Sequence, residues 1–149
     1  MSSTIQKAKS KQACELLKEL DLDTWLVWVR ETSQMADPVL ELVLGGDLVW
    51  QSALLFTKSG EKLAIVGNFD SGGLESRGIY DKVIPYTKGI KDVLVSELSR
   101  INPQKIGINY SIDDVAADGM TLGMHLLLKE YLKGTLYKNR LVSAEGLVQ

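Results

Sequence analysis

The period of the hydrophobic positions changes several times along the chain, and each change marks an element. From Thr4 to Leu20, Ala13, Leu16, Leu17 and Leu20 recur on one face while Lys and Glu fill the other, which predicts an opening helix. Thr24 to Arg30 (Thr-Trp-Leu-Val-Trp-Val-Arg) is an apolar run rich in β-formers and too short for a typical helix, so it predicts a central strand covered on both faces. Asp37-Pro38 offers an N-cap followed by proline at the first helical position, and Gly45-Gly46 ends the short turn of helix that results. Ser52–Thr57 and Lys62–Val66 are apolar strands joined by Lys58-Ser59-Gly60-Glu61, a connection that favours a hairpin.

Asp70 to Gly78 reads as an irregular, glycine-bearing stretch. A strand follows at Lys82–Tyr86, then a helix whose face is Ile90, Val93, Leu94, Leu98 and Ile101 and whose end is marked by Pro103, then a strand at Lys105–Asn109. Strand, helix and strand make a parallel βαβ unit of right-handed sense. Asp118 is the expected cap of a last long helix reaching about Leu132, with Met124, Leu127, Leu128 and Tyr131 on its face; it is so apolar all round that both sides are expected to be covered. The sum is an α/β fold with a mixed sheet, one antiparallel hairpin and helices on both faces.

The 149 residues fit one domain with a sizeable core, and 45% hydrophobic with 24% charged residues matches an ordinary globular protein. Seventeen basic against nineteen acidic residues leave a net charge of −2, too little field to collect a phosphate backbone, so nucleic acid is not an expected partner. No apolar run approaches transmembrane length. Lys7, Lys9 and Lys11 lie within the first helical pattern and lack the apolar core of a secretory signal, which places the expected location in the cytoplasm. Cys14 falls in the same helix and reads as a small buried thiol.

Reactive groups are scarce. His125 stands alone in Gly-Met-His-Leu-Leu-Leu-Lys, with no second imidazole to share a metal. Asp113, Asp114 and Asp118 precede a helix, where carboxylates serve as caps, and their spacing is not that of a calcium loop. Glycines 45, 46, 72 and 73 belong to no phosphate-binding pattern and read as turns, and no Gly-x-Ser-x-Gly elbow occurs. Gly119 and Gly123, four apart, predict close approach of another backbone. A minimal hydrolase would have to be built from His125 with Asp113 or Asp114. A self-sufficient module binding a small molecule or protein would use the C-terminal ends of the strands, near Arg30, Tyr86 and Tyr110.

Lys105-Ile-Gly-Ile-Asn-Tyr-Ser111, followed by a helix and Leu141-Val-Ser-Ala-Glu145, resembles the closing half of a creatinase/prolidase N-terminal domain. Leu22-Asp-Thr-Trp-Leu-Val27, Arg30-Glu31, the Lys58-Ser59-Gly60-Glu61 turn and Val83-Ile-Pro-Tyr86 fall in that family's order, so the resemblance spans essentially the whole chain. It implies a three-layer α/β/α fold with a mixed, mostly parallel five-stranded sheet of ribonuclease-H-like motif, residues 1–149 forming one such domain. It implies a non-catalytic role beside a C-terminal metallopeptidase domain of the Xaa-Pro aminopeptidase or dipeptidase kind, absent from this chain, which would carry two divalent ions (Mn, Co or Zn) on two Asp, one His and two Glu. By the same resemblance the domain takes part in a homodimer and gates the active site for short peptides, through Arg30, Glu31, Asp47 and Trp50. Met35-Ala-Asp-Pro-Val-Leu-Glu-Leu-Val-Leu44 departs from the family's Tyr-Leu-Thr-Gly-Phe-like segment. Ser143, Glu145, Leu147 and Val148 read as the start of a helix too short to bury its apolar side, which leads us to expect either a longer enzyme or a stand-alone relative.

Overall fold

Strand β1 (Thr24–Val29) is buried at every position, and the two layers of the core are sorted by its alternation. A computed structural model of the chain describes residues 4–30, 37–44, 48 and 50–148, with the backbone alone at 41 and 69. Trp25, Val27 and Val29 point into one layer and Leu26 and Trp28 into the other, as the two-residue period of a strand requires. Strands β2 (Ser52–Thr57) and β3 (Lys62–Gly67) divide in the same way: Leu54, Phe56, Ala64 and Val66 join Trp25, while Ala53, Leu55, Leu63 and Ile65 join Trp28.

The sheet is completed by β4 (Lys82–Tyr86), β5 (Ile106–Ile108) and β6 (Leu141–Ser143), in the order β4-β3-β2-β1-β5-β6. Only β2 runs against the rest: it pairs antiparallel with β1 and β3, while β3–β4, β1–β5 and β5–β6 are parallel. Pro85 sits exposed in edge strand β4, where its missing N–H costs no ladder bond. One face is covered by α1 (Thr4–Glu19), α2 (Leu40–Val43), α3 (Asn68–Arg77) and α6 (Glu145–Val148), the other by α4 (Lys91–Ile101) and α5 (Leu122–Tyr131). No helix among the described residues is long and apolar enough to cross a membrane.

The three-layer α/β/α expectation therefore holds, with a sixth short strand at Leu141–Ser143 beside β5. The strands of the Lys82–Asn109 crossover are parallel but stand apart in the sheet, with β3, β2 and β1 between them. The stretch expected to be irregular is a helix instead. Gly72 and Gly73 each cost about 1 kcal/mol relative to Ala, but burial of Leu74, Ile79 and Tyr80 and a 2.8 Å hydrogen bond from Arg77 Nη1 to the Leu44 carbonyl hold α3 in place. Gly78 closes it in the left-handed conformation. The cap of α5 is Thr121, whose Oγ1 accepts from Met124 N at 3.2 Å, and not Asp118, whose Oδ1 accepts from Ser111 N. Nor is α5 covered all round: Leu122 is 72% and Leu126 57% exposed. Asp37 accepts from Val39 N at 3.1 Å in the turn ahead of α2, but the N-cap of α2 is Val39, with no side-chain cap bond, so Asp37 and Pro38 precede the helix and do not start it as expected; the expected stop at Gly45-Gly46 lies outside the described residues.

At the N-terminal edge of the sheet Asp23 fastens β1 to the start of β5. Its Oδ2 accepts from Gln104 N at 2.6 Å and Lys105 N at 3.1 Å, and its Oδ1 pairs with Lys58 Nζ at 2.6 Å. Partial desolvation opposes ionisation, but the Lys58 ammonium and the two N–H donors outweigh it and hold the carboxyl below its usual range.

Truncating Leu26, fully buried on β1, should cost about 2–5 kcal/mol as Leu26→Ala, whereas Leu122→Ala on the exposed side of α5 should stay within about 0.5 kcal/mol. Urea unfolding of both variants checks the pair.

Candidate functional site

Five strands running one way collect their C-terminal ends at one edge of the sheet, where open α/β sheets characteristically bind ligands. Arg30 follows β1, Gly67 and Tyr86 end β3 and β4, Asn109 and Tyr110 follow β5, and Ser143 ends β6. The reversed strand β2 brings Gln51 and Trp50 to the same edge from the other direction.

One half of this edge is organised by a buried polar chain. Trp25 Nε1 donates to Asn109 Oδ1 at 2.7 Å, and Asn109 Nδ2 donates to Asp37 Oδ2 at 2.8 Å. An indole N–H can only donate, which fixes the orientation of the Asn109 amide and points its NH₂ at the carboxylate. Asn109 is 1% and Asp37 3% exposed. Burial pushes the Asp37 carboxyl above its usual range and nearby Asp118 reinforces the push, against the pull of Asn109 and the Val39 N–H. Gly119 lies directly against this carboxylate: a Cβ there would fall 2.1 Å from Asp37 Oδ1. A Cβ on Gly123 would stand 3.4 Å from Arg30 Nη2. The two glycines thus make room for side chains from the end of β1 and the start of α2, and not for the packed backbone expected from their spacing.

The other half is aromatic. The Trp50 ring covers Gly67 so closely that a Cβ there would come within 2.3 Å of it, and its centroid is 6.0 Å from that of Tyr86. Trp50 remains 41% exposed, and its backbone N–H donates to Asp70 Oδ2 at 3.4 Å. The Tyr86 hydroxyl donates to the Gln51 carbonyl at 2.6 Å, and burial, aided by Asp70 and Tyr131, pushes its pKa up to about 12.

Of the four residues expected to gate a site, Arg30 and Trp50 stand at this edge, both exposed; Glu31 and Asp47 lie outside the described residues. Tyr86 and Tyr110 share it. His125 lines a groove with Asp118; neither Asp113 nor Asp114 is in its walls, and Asp114 caps the 3-10 turn Val115–Ala117 by accepting from Ala116 N. That geometry does not assemble the His125 hydrolase. Among the described residues no three His, Cys, Asp or Glu side chains gather as metal donors. Sequence reading took Asp37 as a cap and Asn109 as a strand end and missed their union, which spans 72 residues and leaves no local signal.

No family model matches the sequence, and no curated protein matches it. Solved structures do match by fold. An X-Pro aminopeptidase from Thermotoga maritima superposes with a TM-score of 0.68 at 14% identity, covering 93% of this chain and 34% of its own. An Xaa-Pro dipeptidase from Bacillus anthracis gives 0.66 at 14% identity over 95% of this chain and 34% of its own. The creatinase/prolidase N-terminal domain of an X-Pro dipeptidase from Streptococcus pyogenes gives 0.67 at 14% identity, covering 96% of this chain and 98% of its own. The chain therefore has the fold of creatinase/prolidase N-terminal domains, and it spans about a third of the length of the first two proteins.

Removing the Asp37 carboxylate in Asp37→Ala orphans the Asn109 amide and should cost about 1–3 kcal/mol. In Asp37→Asn the titration disappears. Because folding raises the pKa of Asp37, its contribution to stability is full below the unfolded value near pH 4 and is lost as pH rises through the folded value. Wild-type stability relative to Asp37→Asn should accordingly fall as pH rises from 4 to 7, read from urea midpoints.

Proposed function

We propose that this chain is the N-terminal domain of an Xaa-Pro dipeptidase- or aminopeptidase-like metallohydrolase of the cytoplasm, and that its role is to shape and restrict the active site rather than to perform the reaction. The observation that carries the reading is the match to isolated creatinase/prolidase N-terminal domains over nearly the full length of both chains. The two larger proteins support it, since a chain like this one accounts for about a third of each. The described residues offer no donor set for a pair of divalent ions, so in this reading the metals sit on the C-terminal catalytic domain.

The edge that would face such a site is the C-terminal end of the strands. Arg30 is a permanently charged, exposed group with no ion pair among the described residues, suited to a carboxylate of a short peptide. Trp50, seated rigidly on Gly67 and flanked by Tyr86, offers an apolar wall at low entropic cost. Together they would exclude long chains by occupying space and favour short ones by charge. A homodimer, in which this edge overhangs the partner's site, completes the proposal.

The purified chain, supplied with Mn²⁺ and Ala-Pro, should release no proline. In the full-length polypeptide, Arg30→Ala and Trp50→Ala should each raise KM for the dipeptide about tenfold, equivalent to about 1.4 kcal/mol, with kcat little changed. Proline release by the chain alone would overturn the reading.

A further inference from the structure

The groove beside His125 belongs to neither half of the edge already described. It lies between α5 and the edge strand β6, has a volume of about 580 Å³, and falls within the size range of small-molecule sites. Its apolar lining residues are Met120, the exposed Leu122, Leu141 of β6 and Ile108 of β5, which is itself fully buried. Thr121, His125 and Lys129, spaced four apart, form one wall along α5, about 12 Å from end to end at 1.5 Å rise per residue. Lys138, from the 3-10 turn Leu136–Arg140, and Tyr110, which follows β5, complete the polar lining.

Thr121 Oγ1 is committed to the Met124 N–H, but other polar groups of the lining have no partner among the described residues. Neither Lys129 nor Lys138 has an ion pair among the described residues, and neither the His125 ring nor the Tyr110 hydroxyl has a hydrogen bond there, although the Tyr110 carbonyl is taken by Ser143 Oγ at 2.5 Å. The one acid in the lining, Asp118, already accepts from the Ser111 N–H. The N-terminus of α5 adds its partial positive charge beside Thr121. A cleft lined by apolar residues, two ammonium groups without an ion pair among the described residues and a single committed carboxylate selects for an anion with an apolar body.

We propose that this groove binds a small apolar carboxylate, its carboxylate held by Lys129 and Lys138 and its hydrophobic body against Leu122 and Leu141. Two sources carry that chemistry, a free aryl or alkyl acid and the C-terminus of a short apolar peptide. The proposal stands without the catalytic-domain reading, because it concerns this chain alone.

The test is a titration of the ¹⁵N-labelled chain followed by NMR, with 4-phenylbutyrate, 4-phenylbutyramide, N-acetyl-Ala-Leu and inorganic phosphate. Shifts should concentrate at Tyr110, His125, Lys129 and Lys138 for the two carboxylates, with the amide at least tenfold weaker and phosphate giving no saturable shift there. Tighter binding of N-acetyl-Ala-Leu would assign the peptide source, and tighter binding of 4-phenylbutyrate the free acid. Lys129→Gln and Lys138→Gln, surface changes whose fold is checked by circular dichroism, should each weaken the carboxylates at least fivefold and leave the amide unchanged. Equal affinity for acid and amide, shifts centred elsewhere, or lysine variants that bind as wild type would overturn the proposal.

Discussion

A carboxylate taken out of water must find donors, and in this chain Asp37 finds the Asn109 amide, which in turn can face it only because the Trp25 indole has claimed its oxygen. These three groups come from the segment leading into α2, the end of β5 and the middle strand β1, so satisfying one buried charge fixes where three elements meet. The same constraint explains Gly119: the carboxylate occupies the space that any side chain there would need. Packing provides the bulk of stability through the two layers around β1, but packing alone does not fix the relative positions of loops at the sheet's edge. The polar chain does.

The direction of the strands then decides what that edge presents. With β2 alone reversed, the exits of β1, β4 and β5 and the entry of β2 share one rim, so an arginine, a tryptophan and two tyrosines distant in sequence lie along the same edge of the sheet. Trp50 is held there by contact, since Gly67 lets its ring lie directly on the end of β3. A rim with aromatic walls and an arginine that has no ion pair among the described residues suits a part that positions and excludes, which is the role proposed for it beside a separate catalytic domain.

Much of the fold was legible in the sequence because burial writes itself as period. β1 is a continuous apolar run because both its faces are covered, and the hairpin and α4 follow their patterns closely. The layers failed to announce themselves where tertiary contacts override local preference: Gly72 and Gly73 disguise α3, and the exposed Leu122 and Leu126 make α5 look more deeply buried than it is. The site was less legible. Arg30 and Trp50 were placed through resemblance, whereas Asp37, Asn109 and Gly119 act through contacts between segments far apart in the chain, for which composition and spacing hold no sign.

Hydrogen exchange at the two buried indoles tests the role of Asp37 most directly, because Trp25 depends on the polar chain while Trp28 donates to the Met124 carbonyl at 3.0 Å on the opposite face of the sheet. Both indole N–H groups should exchange slowly in the wild type, and Asp37→Ala should speed exchange at Trp25 by about tenfold or more while leaving Trp28 protected. Unchanged protection at Trp25, or equal loss at both indoles, would contradict the account.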